Sequence, residues 1–199
     1  MTDKGPEILK AYKSLRQLTK QVSLLLTTAD SLMGEQGWES PHGSYCTSVG
    51  GNIQSSWIPR YTFLFYMRER KSGEEDEVQD TISMVSVILD DYQCQYQNLS
   101  EPLVIAGCFL YKPPRSLAKL KKQYHYNFAE YGPKICRSID GRVYKWEPGA
   151  GDNVEFVRMA AFARPLVEIE NADDLKRLIT DPLFKLIKDH LEEGVNVIG

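Results

Sequence analysis

The chain has 199 residues, 42% of them hydrophobic and 11% aromatic, which is enough apolar material to bury a core without disulfides or a structural metal. Its formal net charge of −3 and isoelectric point near 5.7 argue against nucleic-acid or membrane-surface binding by the protein as a whole, while leaving room for a local patch. Cys46, Cys94, Cys108 and Cys136 are widely scattered and form no CxxC pair, so they read as free thiols in a reducing compartment. With Lys10, Lys13, Arg16 and Lys20 interrupting the first thirty residues and no apolar run near the ~20 residues of a membrane span, the expectation is a cytoplasmic protein. One domain over residues 1–199 is the expected organisation.

The first element is a long helix over 6–34, because Ile8, Ala11, Leu15, Leu18, Val22, Leu25, Ala29 and Leu32 recur at spacings of three and four. Pro6 suits its first turn, and Gly34 and Gly37 suit its end. The same spacing fits a coiled coil with Ile8, Leu15 and Val22 at a and Leu18, Leu25 and Leu32 at d. The flanking positions carry no partner-setting charges, however, and Tyr12, Leu26 and Met33 widen the stripe. Packing on a sheet fits better, and self-association is left open. Residues 38–58 form a turn-rich connection, longer than usual and of the kind that often carries function.

Three β-type runs follow at 60–68, 81–90 and 102–111, dense in β-branched and aromatic residues and read as an antiparallel meander. The acidic link around Glu74-Glu75-Asp76-Glu77 lacks the spaced ligands of a calcium loop and reads as a hairpin tip. Lys112-Pro113-Pro114 is expected to stop the third strand. Beyond it Leu117, Leu120, Tyr124 and Phe128 predict a second amphipathic helix. Shorter strands are expected near 142–147, 154–161 and 165–169, with Asp140-Gly141 as a turn. Two short helices close the chain, 172–180 capped by Asn171 and 182–193 opened by Asp181-Pro182. Strands grouped together with helices at the ends argue for an α+β fold, an antiparallel sheet covered on one face by the first helix.

Catalytic signatures are missing: there is no GxxxxGK[ST], GxGxxG, GxSxG or HExxH. His42 and Cys46 lie four apart and hold the chemistry of a nucleophile with its base or of half a zinc site, but no third member follows from spacing. A loop histidine and a small buried cysteine are the simpler reading. Asp90-Asp91 offers paired carboxylates, yet neighbours on a strand point to opposite faces, so a strand end in water is simpler. Gly149-Ala150-Gly151-Asp152-Asn153 reads as a turn. No catalytic residue, metal ligand or cofactor is assigned.

The positive signal is a charge asymmetry. Residues 111–146 contain nine basic and two acidic side chains against the chain's overall −3. Arg115, Lys119, Lys122 and Tyr126 form one ridge of the expected second helix, and Lys134, Arg137, Arg142 and Lys145 continue the basic run. Tyrosines and Trp146 interleave with them, as in surfaces that contact a phosphate backbone and stack on bases. A lysine-rich helix face is also simply a solvated face, and no RNP, KH or zinc-finger pattern is present. The sequence therefore points to a non-catalytic binding or accessory protein that docks onto another macromolecule, a protein partner first. Nucleic-acid binding through 111–146 is the alternative, and a hydrolase of unfamiliar motif is a second.

Overall fold

The computed structural model describes residues 4–40, 45–47, 61–68, 78–89, 99, 101–116, 141–149 and 156–195. Helix α1 spans Gly5–Gly34, with Pro6 in its first turn. At its end the Gly37 amide donates to the Gly34 carbonyl at 2.9 Å and Gly37 takes φ +73°, where a side chain would be strained. The strands are β1 (Trp38–Glu39), β2 (Tyr45–Thr47), β3 (Tyr61–Arg68), β4 (Val78–Ile88), β5 (Leu103–Ser116), β6 (Tyr144–Trp146) and β7 (Phe156–Pro165). They form one antiparallel sheet of order β1-β3-β4-β5-β7-β6, with β2 beside β1 on the outer edge of β3. A 3-10 turn (Leu166–Glu168), helix α2 (Ala172–Leu175), a π-turn (Lys176–Thr180) and helix α3 (Asp181–Val195) complete the chain. The fold is the expected α+β arrangement of a long first helix, an antiparallel meander and short C-terminal helices.

Pairing register divides the strand residues into two apolar faces. On one, Leu64, Val85, Ala106 and Phe162 lie in a row across β3, β4, β5 and β7. They pack with Val22, Leu26, Ala29 and Met33 of α1 and with Leu175, Ile179, Leu183 and Ile187 of the C-terminal helices. On the other face Phe65, Met84, Ile105, Phe109, Phe156 and Met159 form a second buried cluster, with Tyr144 and Trp146 against it. Because both faces are buried, β4 and β5 read as nearly continuous apolar runs. Small residues set the spacing at the sheet centre: a Cβ on Gly107 would stand 2.5 Å from the Ala161 Cβ and 2.7 Å from the Ala160 carbonyl oxygen.

Several local expectations are corrected. Strand β5 does not stop at Lys112-Pro113-Pro114 but runs on to Ser116. Its register against β4 shifts between Gln79 and Thr81, so the prolines fall in the irregularity, where no ladder donor is required of them. The strands expected at 154–161 and 165–169 are one strand, β7, followed by the 3-10 turn. Asp181 has helical dihedrals and is no cap, and the backbone stays helical from Ala172 to Val195. The π-turn accounts for this. The Asp181 amide reaches the Lys176 carbonyl, five residues back, so the helix shifts its ladder at the point where Pro182 brings no donor. Asn171 does cap α2, its side chain accepting from the Asp174 amide at 3.0 Å. The expected second helix beyond residue 116 lies outside the described residues.

Candidate functional site

Helix α1 is two different surfaces on one stripe. Its C-terminal half presents Val22, Leu26, Ala29 and Met33 to the sheet, each at most 4% exposed. No residue from Gly5 to Gln21 is buried. Yet Ile8, Ala11, Leu15 and Leu18 keep the same three-and-four spacing as Val22, so the stripe continues for about 15 Å beyond Leu18, which still packs against the core, through half-buried Leu15 to exposed Ala11 and Ile8. Ile8 is 68% exposed and Tyr12 64%. Five basic side chains, Lys4, Lys10, Lys13, Arg16 and Lys20, accompany this stretch, against Glu7 alone. The hydroxyls of Thr19, Thr27 and Thr28 donate back to carbonyls four residues earlier, each at 2.9 Å, and so ask for no outside partner.

Beside the emerging helix lies an apolar groove of about 520 Å³. Leu18, Val22 and Leu25 of α1 form one wall, and Leu166, Val167 and Ile169 of the 3-10 turn region form the other. Leu24 and Val167 stand at its mouth with 67% and 68% exposure. The second wall brings Glu170 to the groove, and the segment it belongs to, residues 166–174, also carries Glu168, Asp173 and Asp174 and no basic side chain. Asp174 is already engaged, since Arg177 donates to it at 2.8 Å and Asn171 at 2.9 Å, and these contacts hold its carboxyl below the usual carboxylate range. Glu170 and Asp173 are exposed.

A polar strip crosses the helix-covered face of the sheet, where Tyr66, Ser83 and Cys108 lie in register across β3, β4 and β5, with Ala160 and then Lys145 beyond them. Ser83 donates to the Gly107 carbonyl at 3.3 Å. The buried hydroxyls of Tyr66 and Thr81 have no hydrogen-bond partner among the described residues. Burial, with a smaller contribution from the Asp30 carboxylate, raises the Tyr66 phenol far above its ordinary value. Burial likewise pushes the Cys108 thiol up to about 12, against a lowering hydrogen bond from Ala160. A thiol in that setting is an unreactive core group rather than a nucleophile.

The basic residues singled out in the sequence are only partly placed. Lys119, Lys122, Tyr126, Lys134 and Arg137 lie outside the described residues, and Arg115 is described as backbone at the far end of β5. Arg142 and Lys145 are exposed beside and on β6. Nearby cations are matched by acids: Arg158 meets Glu147 at 2.7 Å and Arg164 meets Glu168 at 4.0 Å. His42, Asp90 and Asp91 are outside the described residues, and Cys46 is described as backbone in β2 opposite Thr62. Among the described residues no group of three metal-ligating side chains is gathered, and no helix is long and apolar enough to cross a membrane. The groove was missed in sequence because its second wall reads as a strand. The available signal was the uniform acidity of 168–174 beside Leu166, Val167 and Ile169. Comparison with known proteins gives no match: no family model, no curated protein and no solved structure is similar to this chain.

Proposed function

We propose that this is a non-catalytic binding or accessory protein that docks onto a protein partner through the uncovered half of α1 and the groove beside it. The observation that carries the reading is that one apolar stripe is buried at Val22, Leu26, Ala29 and Met33, half-buried at Leu18 and Leu15, and exposed at Ala11 and Ile8. A helix half of about 17 residues gains little from propensity alone and is stabilised mainly by covering such a face. Each large apolar side chain taken out of water contributes roughly 1.5–3 kcal/mol before the costs of association. The unreactive setting of Cys108 and the motif poverty of the sequence both accord with binding rather than chemistry.

The test is affinity capture from extract with the wild-type protein and with Ile8→Asp/Leu15→Asp, each captured protein then being purified and titrated against both. A partner bound by the wild type and lost from the folded variant supports the reading, whereas equal binding by both overturns it. A salt-sensitive affinity for single-stranded RNA or DNA that this variant retains and that reversal of Arg142 and Lys145 abolishes would favour the basic 111–146 segment instead.

A further inference from the structure

We infer that the protein partner at this surface is a second copy of the same chain, the open half of α1 from each copy lying antiparallel in the groove of the other. The inference rests on the docking reading and names its occupant. Three observations lead to it. The groove's helical wall runs from Leu18 to Thr28 and the open stripe from Ile8 to Leu18, so the two stretches are adjacent and equal in length, about 15 Å each. An antiparallel crossing near Leu18 therefore sets Ile8 of one copy level with Thr28 of its partner and Ala11 level with Leu25. Both grooves fill at once around a two-fold axis, a closed, self-complementary arrangement.

Charge favours the same occupant. The Ile8–Leu18 stretch of α1 carries three basic residues and no acidic one, while the opposite wall of the groove presents Glu170, followed in sequence by the exposed Asp173, with Glu168 and Asp174 already paired to Arg164 and Arg177. Pairing two open halves only with each other would bring like charges together, whereas seating each in the other's groove brings the exposed Lys10 and Arg16, on the two flanks of the helix outside the stripe, toward the exposed Glu170 and Asp173. The contact area is sufficient for a reversible dimer. One side of a helix ~10 Å across and ~16 Å long presents about 250 Å², and the four such faces of a two-fold pair total about 1,000 Å², the lower bound for a specific interface. The exposed Leu24 and Val167 at the groove mouth are covered in the same step.

Sedimentation equilibrium of the purified full chain between ~1 and ~200 μM tests this. The wild type is expected to move from the 22.7 kDa monomer toward twice that mass. Lys10→Glu/Arg16→Glu, with helical content checked by circular dichroism, should raise the dissociation constant at least tenfold at low salt. Adding Glu170→Lys/Asp173→Lys to that variant should recover most of the affinity, which a merely unfolded helix would not do. A mass that stays monomeric throughout, or a tighter dimer in the reversed variant without the compensating pair, overturns the second-copy inference. The docking reading would then be decided separately by whether Ile8→Asp/Leu15→Asp loses a different captured protein or an apolar ligand.

Discussion

Truncating α1 at two points on the same stripe should have opposite consequences. Leu26 is 4% exposed and packs among Leu64, Val85 and the C-terminal helices, while Ile8 is 68% exposed. Removing three buried methyl or methylene groups in Leu26→Ala costs the transfer free energy and leaves a cavity under the helix, about 2–4 kcal/mol in all. For a chain of this size, that corresponds to a fall of roughly 5–12 °C in the melting temperature. Ile8→Ala removes atoms already in water and should change stability by less than about 0.5 kcal/mol. Urea unfolding followed by circular dichroism measures both, at ~1 μM so that association does not add to apparent stability. An Ile8→Ala loss as large as that of Leu26→Ala would mean that the first half of the helix is packed within its own chain, and the reasoning would fail.

Other outcomes follow from the core and the caps. Gly107→Ala should destabilise by about 2 kcal/mol or more in urea, because the new methyl meets the Ala161 Cβ and the Ala160 carbonyl of a paired strand rather than a movable side chain; an unchanged midpoint would contradict the close strand approach. Asn171→Ala should cost about 1 kcal/mol through loss of the α2 cap, with the loss smaller at low pH as the Asp174 carboxyl that joins it is protonated. Tyr66→Phe should leave stability unchanged or raise it by up to about 1 kcal/mol, since its hydroxyl is buried without a partner among the described residues; a clear loss would reveal a partner. Cys108 and Tyr66 both have raised pKa values, so the unfolded chain ionises first, and stability is full below about pH 9 and falls as pH rises toward about 12. Urea titrations from pH 8 to 11 should show that fall, with a shallower slope in Cys108→Ala.

How much the residues disclosed depended on which forces were local. The three-and-four spacing of α1 and the dense β-branched runs of β3, β4 and β5 are set by burial against near neighbours, and both were legible. The end of α1 was too, because Gly37 is placed where φ is positive. What was hidden depends on pairing. Pro113 and Pro114 look like a stop until the irregular register opposite Gln79 and Thr81 relieves them of donor duty. Pro182 looks like a helix start until the π-turn before it absorbs the missing hydrogen bond. Leu166, Val167 and Ile169 alternate like a strand, and only the tertiary fold turns them into a groove wall. Periodicity gave the whole stripe of α1, but not the point at which the sheet stops covering it. That boundary, the feature on which the functional reading rests, depends on the extent of the sheet rather than on the helix itself.

Hydrogen exchange along α1, followed by mass spectrometry as protein concentration rises, tests the central claim most directly. In dilute protein the amides of residues 8–18 should exchange far faster than those of 22–33, and on concentration the 8–18 and 166–172 peptides should gain protection together. Strong protection of 8–18 at the lowest concentration would contradict the account, because the stripe would then already be covered within a single chain.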